Sequence, residues 1–297
     1  MGAPAIAPEL AAAVRALEVR ARRTVREGLG GRWTSAVRGA GVEFAEVREY
    51  VAGDDARTLD WNVSARTGRL HVKRFDEERE QTLFFLVDGS RSCRAPAGER
   101  SWPAAAAEVM ALLGLAAAGA GDRVGAVFFS ERIERVLPAR HGTTALLALL
   151  ARHLSHAPAR SGTDLDATLL EFLRLRVRPC LAVVLTDLHA AARPATLRAA
   201  ARRHDLVVIA LRPAWFDREP PRGLLRVEDP ERGAGRLIDL GDARVRVAFA
   251  ARIEAERREA AALVREAGAE LVELATGGPL VAPLLEWARR RSRRRDR

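Results

Sequence analysis

Cysteine and lysine are nearly missing from this 297-residue chain: it has two cysteines, Cys93 and Cys180, and a single lysine, Lys73. Two cysteines so far apart make no disulfide framework and lack the spacing of a zinc site. They fit a reducing compartment, so a cytoplasmic location is expected. With one lysine, no G-x-x-x-x-G-K-[ST] segment exists, which excludes a P-loop nucleotide hydrolase. No dinucleotide fingerprint follows the first apolar strand; Gly28-Leu29-Gly30-Gly31 follows a helical stretch and reads as its stop. Residues 1–10 lack the basic start and apolar middle of a signal peptide. The most apolar segment, Pro103 to Ala120, is largely Ala and Gly and includes Glu108, so it reads as a buried or amphipathic helix and no membrane span is expected.

What remains is globular in composition, 48% apolar and 30% charged. The length suits one large domain or two small ones, enough to bury roughly 75% of the unfolded surface without a staple. The net charge is +10, and residues 289–297 alone carry seven arginines and one aspartate. Such a run is read as a solvated tail, and no specific nucleic acid is expected as a partner.

Apolar residues at Leu10, Val14, Leu17 and Val25 recur at helical spacing, so residues 1–30 read as an N-terminal helix. Residues 31–80 are short pieces punctuated by turns at Gly39, Gly41, Gly53 and Gly68, with a strand near Arg69 to Phe75; they read as a small β-rich or irregular subdomain. From 81 to 288 the grammar changes. Leu83–Val87, Val124–Phe129, Leu181–Leu185 and Leu206–Leu211 are continuous apolar runs separated by helical stretches. Strands of that kind are buried on both faces of a parallel sheet. The class is α/β, doubly wound and mainly parallel. Arg132–Leu137 follows Phe129 too closely for a crossover and must pair antiparallel at an edge, giving strand order 3-2-1-4-5-6. Pro213, Pro220, Pro221 and Pro230 mark an excursion with a hairpin at Leu224–Val227 and Arg236–Leu240. A long helix to Ala267, a strand at Leu271–Leu274 and a final helix follow, and 289–297 is set apart as the basic tail.

In open parallel sheets ligands bind beyond the carboxyl ends of the strands. Asp88 of Asp88-Gly89-Ser90-Arg91-Ser92 ends the first strand, and Asp187 ends the fourth. The Ser161-Gly162-Thr163-Asp164 turn lies between. If those strands are neighbours, Asp88, Ser90, Ser92, Thr163 and Asp187 converge as a hard oxygen set suited to Mg²⁺ or Mn²⁺ and unsuited to zinc. Two carboxylates neutralise one dication and leave room for an anionic oxygen from outside. Other chemistries fail on particular residues. A phosphatase of the aspartate-nucleophile kind needs a second Asp where Ser90 stands. Ser90 or Ser92 as nucleophile needs a base, and His189 is the only nearby candidate. His153 and His156 read as surface histidines.

Asp88-x-Ser90-x-Ser92, Thr163 and Asp187 resemble the metal-ion-dependent adhesion site (MIDAS) of von Willebrand factor type A domains, and Gly121-Asp122-Arg123-Val124-Gly125 resembles that fold as well. Gly41-Val42-Glu43-Phe44, Arg48-Glu49-Tyr50, Gly53-Asp54-Asp55, Arg57, Asp60-Trp61 and Ser64-Ala65-Arg66 resemble the signature of bacterial domain-of-unknown-function family fifty-eight, and the likeness covers nearly the whole chain. That resemblance implies a von Willebrand factor A-like domain associated with a MoxR-type AAA+ ATPase. Many such proteins carry membrane helices ahead of the domain, so a soluble short form is implied here. It also implies that Cys93 stands at a position that does not ligate the ion. For the signature block two readings stand. Either Trp61 is an anchor and arginine–carboxylate pairs hold the subdomain on the sheet, or Arg48, Tyr50, Asp54, Arg57, Asp60, Trp61 and Arg66 form a partner-docking face.

The functional expectation is a metal-ion-dependent protein-binding module, not an enzyme, acting as adaptor between a MoxR-type AAA+ ATPase and an unknown client. The alternative is a Mg²⁺- or Mn²⁺-dependent hydrolase, phosphatase-like, using the same ion. Asp88 is read as a solvent-facing carboxylate whose removal leaves the fold intact.

Overall fold

The structure, a computed structural model, describes residues 8–30, 33, 46–51, 54, 59–74, 81–94, 100–160, 162–188, 192–212, 223–228 and 235–295. Its first element is helix α1 (Pro8–Thr24), extended by a π-helical turn over Val25–Leu29. Strand β1 (Glu46–Glu49), helix α2 (Trp61–Thr67) and strand β2 (His71–Arg74) form a small unit in which β1 and β2 pair antiparallel. The main body runs β3 (Thr82–Asp88), α3 (Trp102–Gly119), β4 (Arg123–Phe129), β5 (Ile133–His141), α4 (Thr143–Leu154), α5 (Leu165–Arg174), β6 (Leu181–Thr186), α6 (Pro194–Arg203) and β7 (Asp205–Arg212). A hairpin of β8 (Leu224–Glu228) and β9 (Gly235–Asp239) follows, then α7 (Ala243–Glu266), β10 (Glu270–Ala275) and α8 (Val281–Arg295).

Six strands make the central sheet in the order β10-β7-β6-β3-β4-β5. All neighbours are parallel except β4 and β5. Counted in chain order this is 3-2-1-4-5-6, the expected arrangement, with the edge hairpin where the short connection requires it. The apolar runs are buried on both sides. Leu83, Phe85 and Val87 face a core shared with α1, α3, α4 and α8, while Phe84 and Leu86 face one shared with α5, α6 and the C-terminal part of α7. The sheet is thus mostly parallel with helices on both faces. Among the described residues α3 is long and apolar enough to cross a membrane, and here it is packed in the core against β3, β4, β7, α1 and α4.

Three expectations need correction. The basic run is not a loose tail: α8 continues through Arg295, and Arg291 is buried, bonded to Asp205 and 3.0 Å from Glu270, with its guanidinium over the Trp287 ring. Proximity of two carboxylates at the starts of β7 and β10 draws this arginine inward. His153 is buried as well, and His156 lies beyond the end of α4; Phe128 stacks on both rings. Finally, the anchoring indole of the N-terminal part is Trp33, fully buried with Nε1–H donating to Asp122 Oδ2 at 3.0 Å. Trp61 is 68% exposed.

Candidate metal centre

β3 and β6 pair side by side, and β3 pairs with β4 on its other edge. Chains leaving β3 and β6 turn to opposite sides, so their carboxyl ends border a crevice of the kind that holds ligands in such sheets. Asp88 is the last residue of β3, and Asp187 follows β6 directly. Their carboxylate oxygens and the Cys93 sulfur lie within 4.8 Å of one another. Asp88 is 1% exposed, which corrects its reading as solvent-facing: the strand end lies beneath the 89–94 turn.

The second carboxylate and the burial act together on Asp88. Burial raises its pKa first and the nearby Asp187 charge second, up to about 7, against hydrogen bonds that favour ionisation. Those bonds fix its orientation. Ser90 N–H donates to Asp88 Oδ1 at 2.9 Å and the Thr186 hydroxyl to Oδ2 at 2.9 Å. Thr186 Oγ1 in turn accepts from Leu188 N at 3.1 Å. Leu188 adopts φ +61, a left-handed conformation that costs a non-glycine residue roughly 1–2 kcal/mol, held directly after Asp187.

Ser90 and Ser92 hydroxyls lie 3.0 Å apart, with Ser90 fully buried. Gly89 is needed for close approach: its N–H donates to Phe129 O at 2.7 Å, and a Cβ there would stand 3.3 Å from that oxygen and 3.4 Å from the His156 ring. The Thr163 loop is tied to the same sheet edge. Asp164 N–H donates to Ser130 O at 3.0 Å, just past β4, and Gly162 N–H to Glu131 Oε1 at 3.3 Å. Asp164 then caps α5 through Ala167 N. The Thr163 hydroxyl is buried and has no hydrogen-bond partner among the described residues. An orphaned buried hydroxyl is costly, so an acceptor or a cation is the natural complement. Ser161 and His189 lie outside the described residues.

The two carboxylates, with the Ser90 and Ser92 hydroxyls bonded to each other on the turn that follows Asp88, are a donor set that fits a hard dication, and the Thr163 hydroxyl lies on the loop tied to the end of β4. Cys93 and Thr186 are the site residues that sequence reasoning missed. Cys93 is 1% exposed, and its thiol is held protonated, pushed up by burial and then by Asp187 and Asp88. Behind Asp88 a narrow cleft is lined by Cys93, Trp102, Phe128, His153 and His156. Burial lowers His153 to about 4; its neutral ring donates from Nε2 to Pro103 O at 2.9 Å. His156 is also lowered by burial and sits 3.0 Å from Glu134.

The signature block divides into parts. Asp60 caps α2, accepting from Asn62 N and Val63 N, and Asp54 accepts from Val51 N. Ser64 is buried and accepts from His71 N at 2.9 Å. These residues build the turn. Trp61 and Arg66 are exposed on α2, Tyr50 is half-buried beside exposed Val51, and the Arg69–Glu49 pair at 2.7 Å is exposed. Arg48 contributes backbone pairing to β1. Arg57 and the 41–44 stretch lie outside the described residues.

Comparison with known proteins finds relatives of this chain by sequence. The uncharacterized protein Rv1480 of Mycobacterium tuberculosis is 31% identical over 295 residues, covering 96% of this chain and 91% of its own, and Mb1516 of Mycobacterium bovis matches equally. YeaD of Bacillus subtilis, also uncharacterized, is 46% identical over 44 residues, 15% of this chain and 11% of its own. Among solved structures, BatB from Bacteroides thetaiotaomicron is 13% identical with a TM-score of 0.44, covering 72% of this chain and 99% of its own. The PilB minor pilin from Streptococcus sanguinis is 12% identical with a TM-score of 0.42, covering 77% and 66%. Residues 46–259 match the family model described as Protein of unknown function DUF58, and with relatives of 31% identity along nearly its whole length the chain belongs to that family.

Proposed function

We infer that the chain is a divalent-cation-dependent protein-binding module with a von Willebrand factor A-like MIDAS, and that it is an adaptor for a MoxR-type AAA+ ATPase. The observation that carries this reading is the convergence of the Asp88 and Asp187 carboxylates at the ends of β3 and β6, with a buried Thr163 hydroxyl that has no partner among the described residues on a loop tied to the end of neighbouring β4. Asp88, Ser90, Ser92, Thr163 and Asp187 would hold Mg²⁺ or Mn²⁺. Bound there, the ion supplies an electropositive point that accepts a Glu or Asp side chain of the partner, since two carboxylates balance its charge and the hydroxyls add none. Asp88 and Asp187 bind the ion, Thr186 and Ser90 N–H orient Asp88, and the Glu131 and Ser130 contacts position the Thr163 loop.

Binding is favoured over hydrolysis by what surrounds the hydroxyls. Ser90 and Ser92 bond each other, and the two histidines behind Asp88 face Pro103 O and Glu134. The side chains there that could take a proton, Asp88 and Asp187, are the ones that hold the ion.

Three measurements test the reading. Calorimetry on metal-free protein should register one Mn²⁺ or Mg²⁺ site that is lost in Asp88→Ala and Asp187→Ala. A purified MoxR-type ATPase should be retained by the wild-type chain with Mg²⁺ and released by chelator. Retention that survives both chelator and Asp88→Ala would move docking to another surface. Turnover of p-nitrophenyl phosphate that needs Mn²⁺ and Asp88 would install the hydrolase in its place.

A further inference from the structure

Resting on the cation site just described, we propose that Cys93 is a further donor to it. The centre then also takes a thiophilic dication, Zn²⁺ or Co²⁺, through Asp88, Asp187 and the Cys93 sulfur. Three separate segments bring these atoms together: the end of β3, the 3₁₀ turn over Ser92–Arg94 and the residue after β6. The three donors lie within 4.8 Å of one another, and among the described residues no other group of three such donors does so. Three donors bound about 2.0–2.3 Å from one ion at tetrahedral angles are roughly 3.3–3.8 Å apart, so side-chain rotations that draw the donors inward complete the triangle. All three are buried, at 1%, 1% and 8% exposure. Thr163 Oγ1, buried without a partner on the loop tied to the same edge, is an independent sign that this region is completed by something outside the chain.

The chemistry differs from the oxygen mode. A soft sulfur donor selects Zn²⁺ or Co²⁺ over Mg²⁺. On coordination the thiol gives its proton to solvent, and the dication offsets the two carboxylates that otherwise oppose a thiolate. Two carboxylates and one thiolate leave the loaded centre with a net charge of −1, where the Mg²⁺ form is neutral. A thiophilic ion therefore removes the attraction for a partner's carboxylate, so the same residues serve as an open site with Mg²⁺ and a closed one with Zn²⁺.

The test titrates metal-free full-length protein with Co²⁺ and follows the sulfur-to-cobalt charge-transfer band in the near ultraviolet. The band should appear in wild type and in Cys180→Ser, whose cysteine lies at the opposite end of the sheet, and vanish in Cys93→Ser and Cys93→Ala. Mg²⁺ binding should stay within about twofold of wild type in Cys180→Ser, since a twofold change is about 0.4 kcal/mol. Cadmium NMR of wild-type protein reads sulfur ligation directly if neither Cys93 variant folds. Mg²⁺ or Mn²⁺ binding without a sulfur band, or a band that survives loss of Cys93, overturns the thiol ligand and leaves the cation site standing. Absence of binding by any dication overturns both.

Discussion

In metal-free protein at neutral pH the fold holds Asp88 and Asp187 against each other in a buried crevice, and the Asp88 pKa of about 7 records the cost. An unfolded Asp titrates near 4, so between about pH 4 and 7 the unfolded chain has lost a proton that the folded chain keeps. Stability attributable to Asp88 is therefore fully present below pH 4 and is lost as pH rises to 7, by at most roughly 4 kcal/mol. Buried neutral His153, lowered to about 4, contributes the opposite slope between 4 and 6.5, so the variant difference isolates the carboxylate. Metal-free Asp88→Asn should match wild type near pH 4 and be more stable at pH 8, measured by urea unfolding. Mg²⁺ should raise the melting temperature of wild type at pH 8 and leave Asp88→Asn unmoved. A variant less stable than wild type at pH 8 would place the greater weight on the lost hydrogen bonds. The two aspartates were legible because each closes an apolar strand. Thr186 and Cys93 were not, because their roles depend on which strand end packs beside which turn. Trp61 was read as the anchor for the same reason: nothing local distinguishes buried Trp33, bonded to Asp122, from exposed Trp61.

The β4–β5 hairpin was legible as an element from its short connection, but its irregularity was not. The register shifts between Val124 and Ala126, across from Pro138 and Ala139 on the edge strand, where a residue without N–H does least harm. Gly125 sits at that bulge, and a Cβ there would lie 2.8 Å from the Phe84 ring and 2.9 Å from Ala139 N. A backbone atom cannot yield as a side-chain end can. Gly125→Ala should cost about 1–3 kcal/mol. Gly119→Ala, with nothing within 4 Å and no positive φ, should gain about 0.4–1 kcal/mol; paired thermal melts check both. At α8 composition misled, because seven arginines in nine residues read as one solvated run while Arg291 faces inward. Arg291→Ala should lower stability by about 2–3 kcal/mol, leaving Asp205 and Glu270 without their cation. Exposed Arg289, Arg293 and Arg294, replaced singly, should each stay within about 0.5 kcal/mol. Cutting the chain after Trp287 would remove Arg291 with them, so a test for anionic partners needs substitutions of the exposed arginines.

At the scale of the whole molecule, two surfaces among the described residues bear on docking. One is the crevice at the carboxyl ends of β3 and β6. The other is the end of the small unit, where Tyr50 N–H donates to Leu70 O and Asp60 N–H to His71 O, so Val51, Leu70 and Trp61 are gathered at 62%, 48% and 68% exposure with Arg66 on the same helix. An exposed indole with an arginine elsewhere on the same short helix has the composition of binding hot spots. Helix capping by Asp60 is independent of the indole, so Trp61→Ala should change stability by less than about 0.5 kcal/mol. If the face docks the MoxR-type ATPase, the same substitution should weaken that binding by about 2 kcal/mol, near 30-fold. Asp88→Ala should weaken it through the ion alone, so chelator should still lower the affinity of Trp61→Ala but should not affect Asp88→Ala. Separate contacts on one partner add in free energy, so the double variant should lose the sum. Equal affinity of wild type and Trp61→Ala, measured by interferometry in Mg²⁺, would leave the crevice as the sole docking surface and return the signature block to the architecture of its own turn.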